Sequence, residues 1–222
     1  MRNKLLFLGL VLSLGVSLVY SQKAMATTSV TGRKIVIDAG HGGSDPGSTM
    51  CGGKTEAEAN LEVAILLQEK LGADSAVVYM TRDTDEYLTN RDRYTYANKT
   101  GGEVLVSIHF NGSTDTTLNY TQGLYAKWKK DIDLASTIHT RLADELEIPD
   151  EGLLQFASGV ILKAEMPATI QEVAFISNLA ECEKLTDGSG ARQEEIAQSL
   201  YNGLIDWFGD AQVPAKPGNR SR

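Results

Sequence analysis

Val104-Leu-Val-Ser-Ile-His109 is a run of apolar and β-branched residues that ends on a histidine. A half-exposed strand would alternate apolar with polar residues, so this composition predicts a central strand in a sheet covered on both faces. Toward the N-terminus, Thr89-Asn90 can cap a helix from Arg91 to about Lys99, with Gly101-Gly102 as its stop. Before it, Ala76-Val-Val-Tyr-Met80 reads as a strand ending in Thr81-Arg82. An earlier helix begins near Thr55, an N-cap with Glu58 three residues on, and carries Leu61, Ala64, Ile65 and Leu67 toward Gly72. Lys34-Ile-Val-Ile-Asp38 is a further buried strand, and it opens into a glycine loop, Ala39-Gly-His-Gly-Gly43, which runs through Asp45-Pro46-Gly47 to Gly52-Gly53.

Toward the C-terminus, the polar residues from Ser113 to Thr121 form a loop, and Gly123-Leu-Tyr-Ala126 is a weaker strand. Ile132, Ala135, Ile138, Leu142 and Leu146 recur at helical spacing, which predicts a helix over roughly Asp131 to Glu147. Val160-Ile-Leu-Lys163 and Thr169-Ile-Gln-Glu-Val-Ala-Phe175 read as strands, followed by helices over Leu179 to Leu185 and Glu194 to Phe208. Strands alternating with helices give an α/β class: a single layered domain over residues 33–210, with a twisted, mostly parallel or mixed sheet and helices on both faces.

Outside that domain the reading is one of processing. A basic start, Met1-Arg2-Asn3-Lys4, precedes an apolar run from Leu5 to Tyr20, which is shorter than the ~20 residues that span a bilayer. Ala24-Met25-Ala26 then supplies a small-x-small cleavage signal, so residues 1–26 are expected to be a signal peptide and 27–32 a linker. The alternative is an uncleaved N-terminal anchor. The expected location is the periplasm or the extracellular cell wall, with no stable membrane span after cleavage. The tail 211–222 has no apolar period and is expected to be disordered. Three of the 21 basic residues, Arg2, Lys4 and Lys23, lie in the leader, which leaves 18 against 29 acids and a net charge of −11. Such a body excludes nucleic acid as a partner. Lys127, Lys129 and Lys130 read as a solvated helix start, and the chain is expected to be a monomer. Cys51 and Cys182 leave three options: a disulfide, two free thiols or a metal role.

Two of the three histidines, His41 and His109, stand at or just beyond strand ends, where the loops of an open α/β sheet form the ligand crevice. Two imidazoles and one carboxylate are a donor set for a catalytic zinc with an open position, and Glu56 and Glu58 are the acids nearest His41 in sequence. Each residue alone has an ordinary structural alternative: a hydrogen-bonded histidine, or an acid favouring a helix N-terminus. For His139, in mid-helix, the structural alternative is preferred. Glu172 is unusual, because a carboxylate in a run fit for burial costs several kcal/mol unless it is paired, protonated or near a metal. Either it lies on an edge strand facing water, or it is a general base and acid.

Together, Ile37-Asp38-Ala-Gly-His41-Gly-Gly, Asp45-Pro46-Gly47, Glu56 with Asn60-Leu61, Thr81-Arg82, Leu88-x-x-Arg91 with Ala97-Asn98, Ser107-Ile-His109-x-Asn111 and Glu172-x-x-Phe175-x-Ser177-Asn178 resemble the zinc-dependent N-acetylmuramoyl-L-alanine amidases. The resemblance runs from about Lys34 to Phe208. It implies one zinc ion per chain held by His41, Glu56 and His109, with Glu172 as catalytic acid/base and peptidoglycan as substrate. Glu56 is preferred to Glu58 because the family's ligand stands four residues before the Asn-Leu pair. Asp38, Arg82, Arg91, Asn98, Asn111, Ser177 and Asn178 match as supporting residues, while Phe110 and Cys51 depart from the usual pattern. The implied reaction is cleavage of the amide between the lactyl group of N-acetylmuramic acid and L-alanine. The alternative enzyme is a zinc carboxypeptidase or endopeptidase acting on the stem peptide.

Overall fold

In the computed structural model, which describes residues 29–210, the chain forms one six-stranded sheet with helices against both faces. In chain order the elements are β1 (Lys34–Ala39), α1 (Glu56–Ala73), β2 (Val77–Met80), α2 (Asn90–Thr100), β3 (Val104–Asn111), β4 (Thr121–Tyr125), α3 (Trp128–Glu145), β5 (Asp150–Gln155), α4 (Gly159–Lys163), β6 (Ala168–Phe175), α5 (Leu179–Thr186) and α6 (Ala191–Asp210). The expected leader, most of the linker's start (Thr27 and Thr28) and the tail 211–222 lie outside the described residues. Among the described residues no helix is long and apolar enough to cross a membrane.

The strand order is β2-β1-β3-β6-β4-β5. β1, β2, β3 and β6 are mutually parallel, whereas β4 runs antiparallel to β6 and carries β5 parallel to itself. The sheet is therefore mixed, with β3 and β6 in its interior. The two-residue period of a strand sorts the core into two layers. Ile35, Ile37, Val104, Val106, Ile108 and Val173 face α1, α3 and α6, where they pack with Val63, Leu67, Ile138, Leu142, Ile196 and Leu200. Val36, Leu105 and Ile170 face the other way and are covered by Ala97 of α2 and Val160 and Ile161 of α4. Asp38, Ser107, His109 and Glu172 continue this second set toward the carboxyl ends of β1, β3 and β6.

Two elements differ from the sequence reading. Val160-Ile-Leu-Lys163 is the short helix α4 rather than a strand. Three β-branched or apolar residues and a lysine carry no usable period, and here the need to cover Leu105 and Ile170 decides the conformation. Asp150–Gln155 is an edge strand, β5, where no strand was expected. Its exposed acids and its Gly152, at φ 74°, hide the pattern, and the glycine accompanies a register shift against β4. Lys127 is not fully solvated, since its Nζ lies 3.2 Å from the buried Asp131 and donates to the carbonyl of Ile161. Cys51 and Cys182 form a disulfide, with their Cα atoms 5.3 Å apart, which joins the glycine loop to α5.

Candidate metal centre and active site

The site begins with the N-terminus of α1. Thr55 caps that helix through its side chain, which accepts from the Glu58 backbone N–H at 3.2 Å, while the Glu58 carboxylate accepts the Thr55 N–H at 2.7 Å. This reciprocal box occupies Glu58 at the exposed side of the turn and leaves Glu56, 5% exposed, pointing inward. Glu56 Oε2 accepts the Ser48 N–H at 3.0 Å, and Oε1 accepts the Phe110 N–H at 3.3 Å. The same Oε1 lies 3.1 Å from His41 Nε2 and 3.1 Å from His109 Nδ1. Donor atoms of His41, Glu56 and His109 all lie within 4.8 Å of one another.

His41 adopts a left-handed backbone, φ 58°, that costs a non-glycine residue about 1 kcal/mol or more. Buried donors hold it there. Arg93 Nη2 donates to the His41 carbonyl at 2.8 Å, and Nη1 donates to the Ala39 carbonyl at 2.7 Å and to Asp38 Oδ1 at 2.8 Å. Arg82 donates to the carbonyls of Ala39, Gly40 and Ala57 at 2.8–2.9 Å, and Asn60 Nδ2 to that of Gly40 at 3.1 Å. The His41 Nδ1–H donates to Asp45 Oδ2 at 2.9 Å, which aims Nε2 at the centre. Two glycines are required by space. A Cβ at Gly40 would sit 2.3 Å from the His109 ring, and one at Gly47, whose φ is 62°, would sit 2.6 Å from Glu56 Oε2.

His109 and Glu172 are register partners on adjacent strands, so both side chains emerge on the α2/α4 face at the sheet's carboxyl edge. Just beyond His109 the β3–β6 register shifts, a bulge beside the functional groups. β6 is interior, which excludes the edge-strand alternative for Glu172. Burial pushes the Glu172 carboxyl up from its ordinary range, and its Oε2 has no hydrogen-bond partner. Burial also disfavours charge on Glu56, but His109 and His41 outweigh it and hold that carboxyl well below its usual range. In turn, the hydrogen bond with Glu56, followed by that with Asp45, pushes His41 up to about 9 against its partial burial. For His109, burial lowers the pKa, yet the hydrogen bond with Glu56 and the charges of Glu172 and Glu56 leave it raised. Asp38 is fully buried; despite that, Arg93 and the hydroxyls of Ser107 and Thr81, both at 2.6 Å, keep it lowered.

A cavity of about 220 Å³ opens over Glu172, His41 and His109. A larger one, about 540 Å³, lies elsewhere, between Ile65 and Leu66 of α1 and Leu185 of α5, and contains none of these groups. The supporting residues divide. Asn98 accepts the Glu165 N–H and donates to the Lys163 carbonyl, tying α2 to the end of α4. Asn178 caps α5, Ser177 accepts the Ser113 N–H, and Asn111 accepts the Gly112 N–H. Arg91 is exposed, and the buried arginine of α2 is Arg93. Its signal was its four-residue spacing from Ala97, which puts both on one helical face. Asp45 went unassigned as the partner of His41, although it too lies four residues away. His139 is structural, buried in α3 with Nε2 2.7 Å from Asp150 Oδ1.

Residues 35–206 match the family model described as N-acetylmuramoyl-L-alanine amidase. The chain is 32% identical over 197 residues to the Bacillus subtilis protein YqiI, covering 87% of this chain and 94% of that one. It is 30% identical over 185 residues to the B. subtilis N-acetylmuramoyl-L-alanine amidase LytC, covering 81% of this chain but 36% of that longer protein. The fold superposes on the catalytic domain of the amidase CwlV from Paenibacillus polymyxa with a TM-score of 0.73 at 29% identity, over 80% of this chain and 98% of that one. An amidase structure from Clostridium difficile gives 0.75 at 26% identity, over 82% and 100%. With the family model matched over nearly all of the sheet and its helices, the chain belongs to the N-acetylmuramoyl-L-alanine amidases, hydrolases of peptidoglycan.

Proposed function

We propose that this amidase uses one zinc ion, held by His41, Glu56 and His109, and Glu172 as proton carrier, to cut the amide between the lactyl group of N-acetylmuramic acid and L-alanine. The observation that carries this reading is the convergence of the three donors beside a buried carboxylate oxygen that has no partner. The donor set fits the metal. Bonds of about 2.0–2.1 Å in a tetrahedral site separate neighbouring ligand atoms by about 3.3 Å. The two 3.1 Å approaches to Glu56 Oε1 are close to that spacing. When bound, zinc supplies a Lewis acid that acidifies water and polarises the carbonyl.

The rest of the work falls to the chain. Asp45 holds the proton on Nδ1 of His41 and so keeps Nε2 available. The N–H groups of Ser48 and Phe110 fix the Glu56 carboxylate. Glu172, aligned with His109 across the β3–β6 ladder, accepts the proton of the attacking water and returns it to the departing L-alanine nitrogen. Its raised pKa suits both steps, since the protonated form must persist long enough to act as an acid.

The same reading takes residues 1–26 as a cleaved leader and 33–210 as the catalytic unit, acting as a monomer in the periplasm or the cell wall. The Cys51–Cys182 disulfide supports export, because such bonds persist outside the reducing cytoplasm. The test is a digest of purified sacculi followed by product masses. Release of intact stem peptides is expected, whereas shortened or opened peptides would indicate a peptidase. Glu172→Ala is expected to keep zinc and lose at least about 100-fold in turnover, while His41→Ala loses both. Stem-peptide release by Glu172→Ala at the unmodified rate would overturn the assignment.

A further inference from the structure

One side of the active-site cavity is used by the amide chemistry, and the other is a wall with no assigned task. That wall is made by Leu88 and Asn90 at the start of α2 and by Phe156, Ser158 and Val160 at and before α4. The two segments adjoin, since a Cβ at Gly159 would lie 3.4 Å from Asn90 Nδ2. Phe156 keeps 52% of its surface exposed, although its backbone is pinned by the N–H it donates to the Tyr125 carbonyl at 2.8 Å. Ser158 precedes α4 without making a side-chain cap, and neither its hydroxyl nor the Asn90 amide has a hydrogen-bond partner among the described residues.

Charge selects the half of the substrate that fits here. Arg93 is the only arginine or lysine that lines the cavity, and both its terminal nitrogens are engaged with Asp38, Ala39 and His41. The other charged groups include three carboxylates, Asp38, Asp45 and Glu172. A stem peptide brings free carboxylates, and the wall away from the proposed zinc ligands offers them no cation, since Leu88, Asn90, Phe156, Ser158 and Val160 are all uncharged. The muramic acid residue is different: its own carboxyl is tied up in the scissile amide, so it presents only hydroxyls, an acetamido group and an apolar ring face.

We propose that this wall is the binding subsite for the N-acetylmuramic acid sugar, with Phe156 as its principal specificity-determining residue. The Phe156 ring and Leu88 take the apolar ring face and the acetamido methyl, and Asn90 and Ser158 hydrogen-bond the polar groups around them. The stem peptide then extends away from α4. This rests on the amidase reading of the same site.

The experiment compares two synthetic substrates of the zinc-loaded enzyme: an N-acetylmuramoyl tripeptide, and the matched D-lactoyl tripeptide in which the sugar is absent. Phe156→Ala is expected to raise KM for the muramoyl substrate roughly three- to tenfold with kcat nearly unchanged, and to leave the lactoyl substrate unaffected. Phe156→Trp should restore KM, and Ser158→Ala should raise it selectively in the same way. Because Phe156 is exposed, its loss is not expected to unfold the chain, and an unchanged kcat reports that directly. Equal rises in KM for both substrates would place the wall on the peptide side and overturn the proposal, as would no change for either. A wild-type enzyme that cleaves neither substrate would instead overturn the amidase reading on which the proposal stands.

Discussion

At the residue scale, one carboxylate oxygen organises the proposed metal site. Glu56 Oε1 lies between His41 Nε2 and His109 Nδ1, and each imidazole gains basicity from it. In the proposed site, zinc would displace a proton from His41, whose pKa is pushed up to about 9, while the Nδ1 proton stays on its bond to Asp45. The sign follows from linkage. A group that must lose a proton to bind metal weakens binding at every pH below its pKa, by about one decade per pH unit. Apparent zinc affinity should therefore climb by about a decade or more per unit from about pH 7 to about pH 9 and level off above. A chelator-competition titration, corrected for the chelator's own protonation, measures it. A flat profile would contradict the hydrogen-bonded arrangement of His41.

At the scale of elements, each end of α1 and α5 shows why some placements could be read early and others could not. The Thr55–Glu58 spacing announces a capping box, and the box itself decides which of two acids turns inward. By contrast, nothing in Glu181 or Arg192 announces that they meet: they are 1% and 3% exposed, and Arg192 grips both oxygens of Glu181 to lock α5 against α6. Removing Glu181 leaves the buried Arg192 with the half-exposed Glu195, 2.6 Å from its Nη1, as its remaining ion partner. Glu181→Ala should lower the free energy of unfolding by about 3 kcal/mol, at the lower end of the range for a broken buried pair because Glu195 remains, as read from denaturant midpoints. A loss below about 1 kcal/mol would mean that water reaches Arg192 and screens it. The same limit applies to α4 and β5. Long periodic helices and apolar central strands declare themselves locally, whereas five or six residues whose conformation is set by what they cover do not. For that reason His41, His109 and Glu172, which stand on or beside strong strands, were recognisable, while Arg93 and the wall around Phe156 were not.

At the scale of the whole molecule, a parallel four-stranded half supplies the family crevice, and the antiparallel β4 with β5 extends the sheet past it. The disulfide clasps the glycine loop that carries His41 to the far helix α5 across 131 positions of sequence. In a chain-entropy estimate a link of that span stabilises the fold by about 5 kcal/mol. Glu172 sits where the two halves meet, laddered to His109 on one side and to Gln122 on the other. A strand bonded along both edges has no local route to open, so the amides of Gln171 to Val173 should exchange with deuterium only through global unfolding. Those of Phe156 and Ser158, on the exposed rim, should exchange far faster. Mass-resolved exchange tests this, and comparable rates in the two segments would refute it. Any breathing that admits substrate then belongs to the rim, and Glu172 stays still while its surroundings move.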